Sequence, residues 1–121
     1  MQLSKSEEVV MSHIWKLGSA FMKEIIQEFE EPRPAPTTLA TLLKRMTDKG
    51  FISYELEGKS RKYYPLVAKE DYVSGHLEGV VKDFFDNSAS QFASFFTRKT
   101  DFTKEELEAL KQLIDDEIKK K

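Results

Sequence analysis

Apolar residues along this chain repeat with two different periods, and the change of period divides it. Val10, Met11, Ile14 and Leu17 recur at the spacing of one helix face, and the run stops at Gly18. Ser4-Lys5-Ser6-Glu7 opens that helix as a capping box: the Ser4 hydroxyl accepts from the Glu7 backbone, and the Glu7 carboxylate reaches back. Ser19 is placed to cap a second helix, with Met22, Ile25, Ile26 and Phe29 turned inward. Pro32, Pro34 and Pro36 stand at alternate positions, which forbids helix and predicts a loop. From Thr37 to Gly50, Leu39, Leu42, Leu43 and Met46 form a third helical stripe, with Pro36 suited to its first turn. The period then drops to two. Ile52, Tyr54 and Leu56 alternate with Ser53, Glu55 and Glu57 as in a half-buried strand. Gly58-Lys59-Ser60 can turn the chain, and Arg61 to Leu66 return it as a second strand.

Helical spacing resumes near Lys69, with Val73, Leu77, Val80, Val81, Phe84 and Phe85, and breaks at Asn87-Ser88. A short helix carrying Phe92, Ala93, Phe95 and Phe96 follows. Thr103 and Glu106 form another capping box, and Phe102 with Leu107 a hydrophobic staple. Leu107, Leu110, Leu113, Ile114 and Ile118 make the last stripe, and the terminal lysines suit a helix C-terminus. The expected fold is mainly α. Residues 1–68 would form a winged helix-turn-helix of three helices plus a β-hairpin wing, and residues 69–121 a three-helix dimerisation region.

The aromatic distribution points to that second role. Of nine phenylalanines, Phe84, Phe85, Phe92, Phe95, Phe96 and Phe102 fall in one short stretch. Three short helices cannot bury so many rings among themselves, and exposing them would leave a sticky patch. A second copy of the chain resolves this. The expected dimer interface comprises Leu77, Val80, Phe84, Phe92, Phe95, Phe96, Leu110 and Ile114.

Charge supplies the chemistry. The net charge of −2 conceals a local excess. Residues 32–66 carry a net +4, from Arg33, Lys44, Arg45, Lys49, Lys59, Arg61 and Lys62 against Asp48, Glu55 and Glu57, which leaves −6 elsewhere. The outer face of the third helix presents Thr37, Thr41, Lys44 and Arg45. Arginine and lysine can donate to guanine edges, and threonine can offer its hydroxyl to phosphate or its methyl to thymine. Lys59, Arg61 and Lys62 in the wing would reach phosphate or the minor groove. A polar, cationic helix backed by a basic hairpin fits double-stranded DNA. The alternative, from a different class, is a winged-helix interaction module that does not read DNA.

Several classes are disfavoured. His13 and His76 lie on separate helices without metal-ligand spacing, and no nucleophile motif or glycine-rich phosphate loop is present, so no catalytic residue, metal or cofactor is expected. The chain has no cysteine for disulfides or thiolate sites. No apolar run approaches the ~20 residues of a membrane span, and the N-terminal residues lack a secretory core. A cytoplasmic protein with no membrane insertion is the expectation.

Leu3-Ser4-Lys5-Ser6-Glu7, Ile14-Trp15-Lys16-Leu17-Gly18, Thr37-Thr38-Leu39-Ala40-Thr41-Leu42-Leu43-Lys44-Arg45-Met46, Lys49-Gly50-Phe51 and Tyr63-Tyr64-Pro65 together resemble the penicillinase-repressor family (BlaI/MecI/CopY type). The resemblance covers nearly the whole chain. It implies a homodimeric winged-helix repressor that binds palindromic operator DNA, with Thr37, Thr38, Thr41, Lys44 and Arg45 in the groove. It also implies relief by an upstream signal, which in some members is a membrane sensor-protease cutting an Asn-Phe bond. Here the matching stretch reads Ala93-Ser94-Phe95-Phe96, and the only asparagine, Asn87, precedes Ser88. Copper-responsive members carry Cys-x-Cys pairs, which this chain lacks.

Overall fold

The structure, a computed structural model, describes residues 2–121; Met1, the first residue of the N-terminal stretch read above, lies outside them. The elements run α1 (Lys5–Leu17), β1 (Ala20–Phe21), α2 (Met22–Glu28), α3 (Pro36–Asp48), β2 (Ile52–Glu57), β3 (Ser60–Pro65), α4 (Lys69–Phe84), α5 (Ala89–Lys99) and α6 (Lys104–Lys119). Two compact units separate within α4, one up to Val73 and one from Ser74 to Lys121.

The first unit is a winged helix. The Ser4–Glu7 capping box forms: the Glu7 N–H donates to Ser4 Oγ at 3.2 Å, and the Ser4 N–H to Glu7 Oε1 at 2.7 Å. Gly18 stops α1 at φ 82°, a left-handed conformation that a side chain would strain, while its N–H still donates to the Ile14 carbonyl. Ser19 does not cap α2. The cap residue is Phe21, whose N–H donates to Glu24 Oε1 at 2.9 Å. The reason is a strand that periodicity could not reveal. Ala20 and Phe21 pair antiparallel with Tyr63 and Lys62, giving a three-stranded sheet in the order β1-β3-β2 and delaying the helix.

The core joins Leu3, Val10, Met11, Ile14, Ala20, Ile25, Leu39, Leu43, Met46, Phe51, Ile52 and Tyr63. Each fully buried large side chain contributes about 1.5–3 kcal/mol relative to exposure. Leu56 departs from the alternation expected of β2. It is 65% exposed, because the hairpin runs out past the helices beyond Tyr54. The first turn of α4 belongs to this unit. Tyr72 packs on the Trp15 and Phe51 rings, and its hydroxyl donates to Glu8 Oε2 at 2.6 Å. Trp15 Nε1 donates to the Val67 carbonyl at 2.8 Å.

The second unit contains the rest of α4, with α5 and α6. Asp86 and Asn87 turn the chain at φ 50° and 60°, and Ser88 caps α5 by accepting from the Gln91 N–H at 3.1 Å. Thr103 and Glu106 make the expected reciprocal cap of α6, with hydrogen bonds of 3.1 and 2.9 Å. Phe85 touches Phe92 and Phe95, Phe92 stacks on Phe96, and Phe96 meets Phe102 edge-on, all with centroids within 6 Å. No described residue of this unit is buried.

Candidate nucleic-acid interface

α3 buries one face and exposes the other. Leu39, Leu43 and Met46 are fully buried, while Thr37, Thr38, Thr41, Lys44 and Arg45 are all exposed on the other side. Pro36 occupies the first turn, where its missing N–H costs nothing. Thr41 donates its hydroxyl proton to the Thr37 carbonyl at 3.1 Å, which leaves its methyl and its oxygen lone pairs outward. Lys44 pairs with Asp48 one turn on, at 3.0 Å. Both are well exposed, so this pair is worth only a few tenths of a kcal/mol and yields readily to a phosphate.

Lys49 does not belong to the outward patch. Its Nζ donates to Glu7 Oε1 at 2.6 Å and to the Gln2 carbonyl at 3.2 Å. Glu7 is 1% exposed. Burial pushes its carboxyl up, but the hydrogen bonds from Lys49 and from Ser4 outweigh that and hold it below its ordinary value. One carboxylate thus caps α1 and secures the residue that ends α3. Arg33 is also committed, to Glu31 at 2.7 Å.

The wing cations divide between the two faces of the sheet. Arg61 lies over the Tyr54 ring, 4.5 Å from its centroid. The Tyr63 hydroxyl, with the two tyrosines nearby, raises its affinity for the proton further. Lys62, the next residue along the strand, points the other way. It sits over the Phe21 ring at 5.4 Å, directly across from Glu55. Lys59 stands at the turn beside Gly58, whose φ of 64° the tight turn requires. The structure therefore brings Thr37, Thr38, Thr41, Lys44 and Arg45 onto one helix face and sets Lys59 and Arg61 beside it. It places Lys62 on the opposite face.

Between wing and helices runs a groove of about 700 Å³ lined by Phe21, Lys23, Ala40, Lys59, Arg61 and Tyr63, among others. Nothing in the periodicity marks Lys23. It is one of several solvated residues on a seven-residue helix, and only the unforeseen β1–β3 pairing brings it opposite the wing.

His13 meets the Phe29 ring edge-on at 4.6 Å, and burial lowers its proton affinity. Among the described residues, no three His, Cys, Asp or Glu side chains gather to hold a metal, and no helix is long and apolar enough to cross a membrane. In the second unit, Phe84 is 78% and Ile114 60% exposed; Leu77, Phe95 and Phe96 are each about two-fifths exposed, and Val80, Phe92 and Leu110 half-buried. Leu110, Leu113, Ile114 and Ile118 line a shallow apolar hollow of about 300 Å³ along α6.

Residues 3–116 match the family model described as penicillinase repressor. The chain belongs to the penicillinase repressor family. It is 26% identical to the penicillinase repressor of Bacillus licheniformis over 99% of this chain and 94% of that one. It is 28% identical to the methicillin resistance regulatory protein MecI of Mammaliicoccus sciuri over 93% of each. The solution structure of the DNA-binding domain of the repressor BlaI superposes with a TM-score of 0.52 at 35% identity, covering 59% of this chain and 88% of that domain. Membership makes the chain a winged-helix transcriptional repressor.

Proposed function

We propose that the chain represses transcription as a homodimer, setting α3 of each protomer into the major groove of one half of a palindromic operator. The observation that carries this is the division of α3: Leu39, Leu43 and Met46 are fully buried and Leu42 half-buried, while its outer face holds threonines, two cations and small or acidic residues. That chemistry suits base edges and phosphates rather than a protein surface, which would call for aromatic and aliphatic anchors. Lys59 and Arg61 would meet the backbone beside the groove.

Dimerisation falls to residues 74–121. Helices that leave no residue fully buried and expose Phe84, Leu113, Ile114 and Ile118 gain most by covering those faces with a second copy. Two-fold symmetry then requires half-sites one helical turn or a multiple apart. Release of repression would act on the same helices, and cleavage by an upstream sensor is one way to do it. Following the intact chain by immunoblot during derepression tests that route, and full-length protein persisting throughout would exclude it.

The test of DNA reading is fluorescence anisotropy with a duplex selected from a random library, over a salt series. A repressor that neutralises several phosphates loses affinity linearly on a log–log plot, with slope about −0.9 per phosphate. Absence of any salt-dependent binding would favour the interaction module instead.

A further inference from the structure

The groove between α2, α3 and the wing has no role in base reading, yet three of its corners are cationic. Lys23 stands on the α2 side, and Arg61 and Lys59 on the wing side. Among the described residues, none of the three makes an ion pair. Two acids also line it, Glu24, one of whose carboxylate oxygens accepts from the Phe21 N–H, and Glu57 at the hairpin end beside Lys59, so the three cations leave a net charge of +1. Arg61 is held in place by the Tyr54 ring, so it meets a ligand with its side chain already ordered. The third wall is Ala40, an exposed residue with no reach of its own. It lies three residues after Thr37 and four before Lys44, so it marks the flank of the α3 outer face that turns toward this groove.

These placements give the groove a direction. A duplex seated on the outer face of α3 must pass one sugar-phosphate backbone along the Ala40 flank, where the small side chain leaves room. We propose that this groove is the seat of that backbone, with Lys23 and Arg61 neutralising phosphates from opposite walls and Lys59 following at the tip. Lys23 is thus a DNA-contacting residue. Lys62, on the far face of the sheet, is not part of the seat. The proposal rests on the DNA-binding reading above and adds to it a contact outside both α3 and the wing.

The experiment measures binding of the full chain to a library-selected duplex, and to a scrambled duplex of equal length, between 50 and 200 mM salt. Lys23→Ala should weaken both duplexes by about tenfold at 50 mM and about threefold at 200 mM, the signature of one lost phosphate contact. Lys23→Arg should restore wild-type binding, because it keeps the charge. Lys111→Ala, a charge removed from α6, should change neither affinity nor slope. If wild type binds with a steep salt slope and Lys23→Ala has the same slope and affinity, the backbone seat is wrong while the DNA reading stands. A wild type that shows no salt-dependent binding overturns both. A loss confined to the selected duplex would make Lys23 a base-reading residue and would also overturn the backbone seat.

Discussion

The two halves of this molecule use apolar residues in opposite ways. Up to Val73, helices and sheet close over a core in which Met11, Ile14, Ile25, Leu39, Leu43 and Met46 are fully sequestered. From Ser74 onward the helices are just as regular, and two carry well-formed caps, yet no described residue is buried. Helix formation and core formation are therefore separate achievements. Local capping and periodicity specify the first, whereas the second needs facing surfaces, which residues 74–121 do not supply from one copy alone. The phenylalanine cluster is the visible compromise: Phe85, Phe92, Phe95, Phe96 and Phe102 cover one another partly, while Phe84 stays 78% exposed.

The sharpest way to break the contrast is to damage only the second half. Phe96→Asp should leave the winged helix folded by circular dichroism but yield monomers in light scattering. Operator affinity should then fall by about 10²–10⁴-fold as the effective concentration of the second half-site contact is lost. A stable wild-type monomer at micromolar concentration would refute the dimer outright. The first half should fail differently. Lys49→Met removes the partner of a buried carboxylate and should cost about 3 kcal/mol in urea unfolding, the low end for such pairs because Lys49 remains partly exposed. Lys49→Met with Glu7→Gln should recover much of that loss.

The same pair sets an acid limit. Glu7 has a folded proton affinity below its ordinary carboxylate value of 4.5, so its contribution is complete above that pH and is lost as pH falls through the lower folded value. Glu7→Gln should therefore flatten the decline in stability below about pH 4.5, which acid titration followed by tryptophan fluorescence would measure. Effects at the DNA face are smaller. Arg45→Ala should cost about 1–3 kcal/mol on the selected operator and relax discrimination among sequences if its contact is to a base. Smallest of all is Lys62→Ala, which should weaken binding less than Arg61→Ala because the two side chains leave opposite faces of β3.

Much of this was legible in the sequence. The Ser4 and Thr103 caps, the stop at Gly18, the buried face of α3 and the hairpin around Gly58 are local events, and local spacing reveals them. What escaped were events between distant segments. β1 is two residues long, too short for any period, and exists only because β3 offers it an edge. Ser19 lost its capping role to that pairing. Lys49 reads as one more cation beside Lys44 and Arg45 until Glu7, forty-two positions earlier, turns it inward. Lys23 gained a neighbour in the wing by the same kind of closure, and no window of sequence contains both.

The carboxylate of Glu7 has a consequence for how such a chain can change over generations. Because it serves a helix cap and a tertiary ion pair at once, neither codon can drift alone: losing the acid strands the lysine, and losing the lysine strands a buried charge. Descendants are expected to keep both residues or to replace both. Paired inheritance at positions 7 and 49, two sites that touch no DNA in the proposed complex, would be the trace of that constraint.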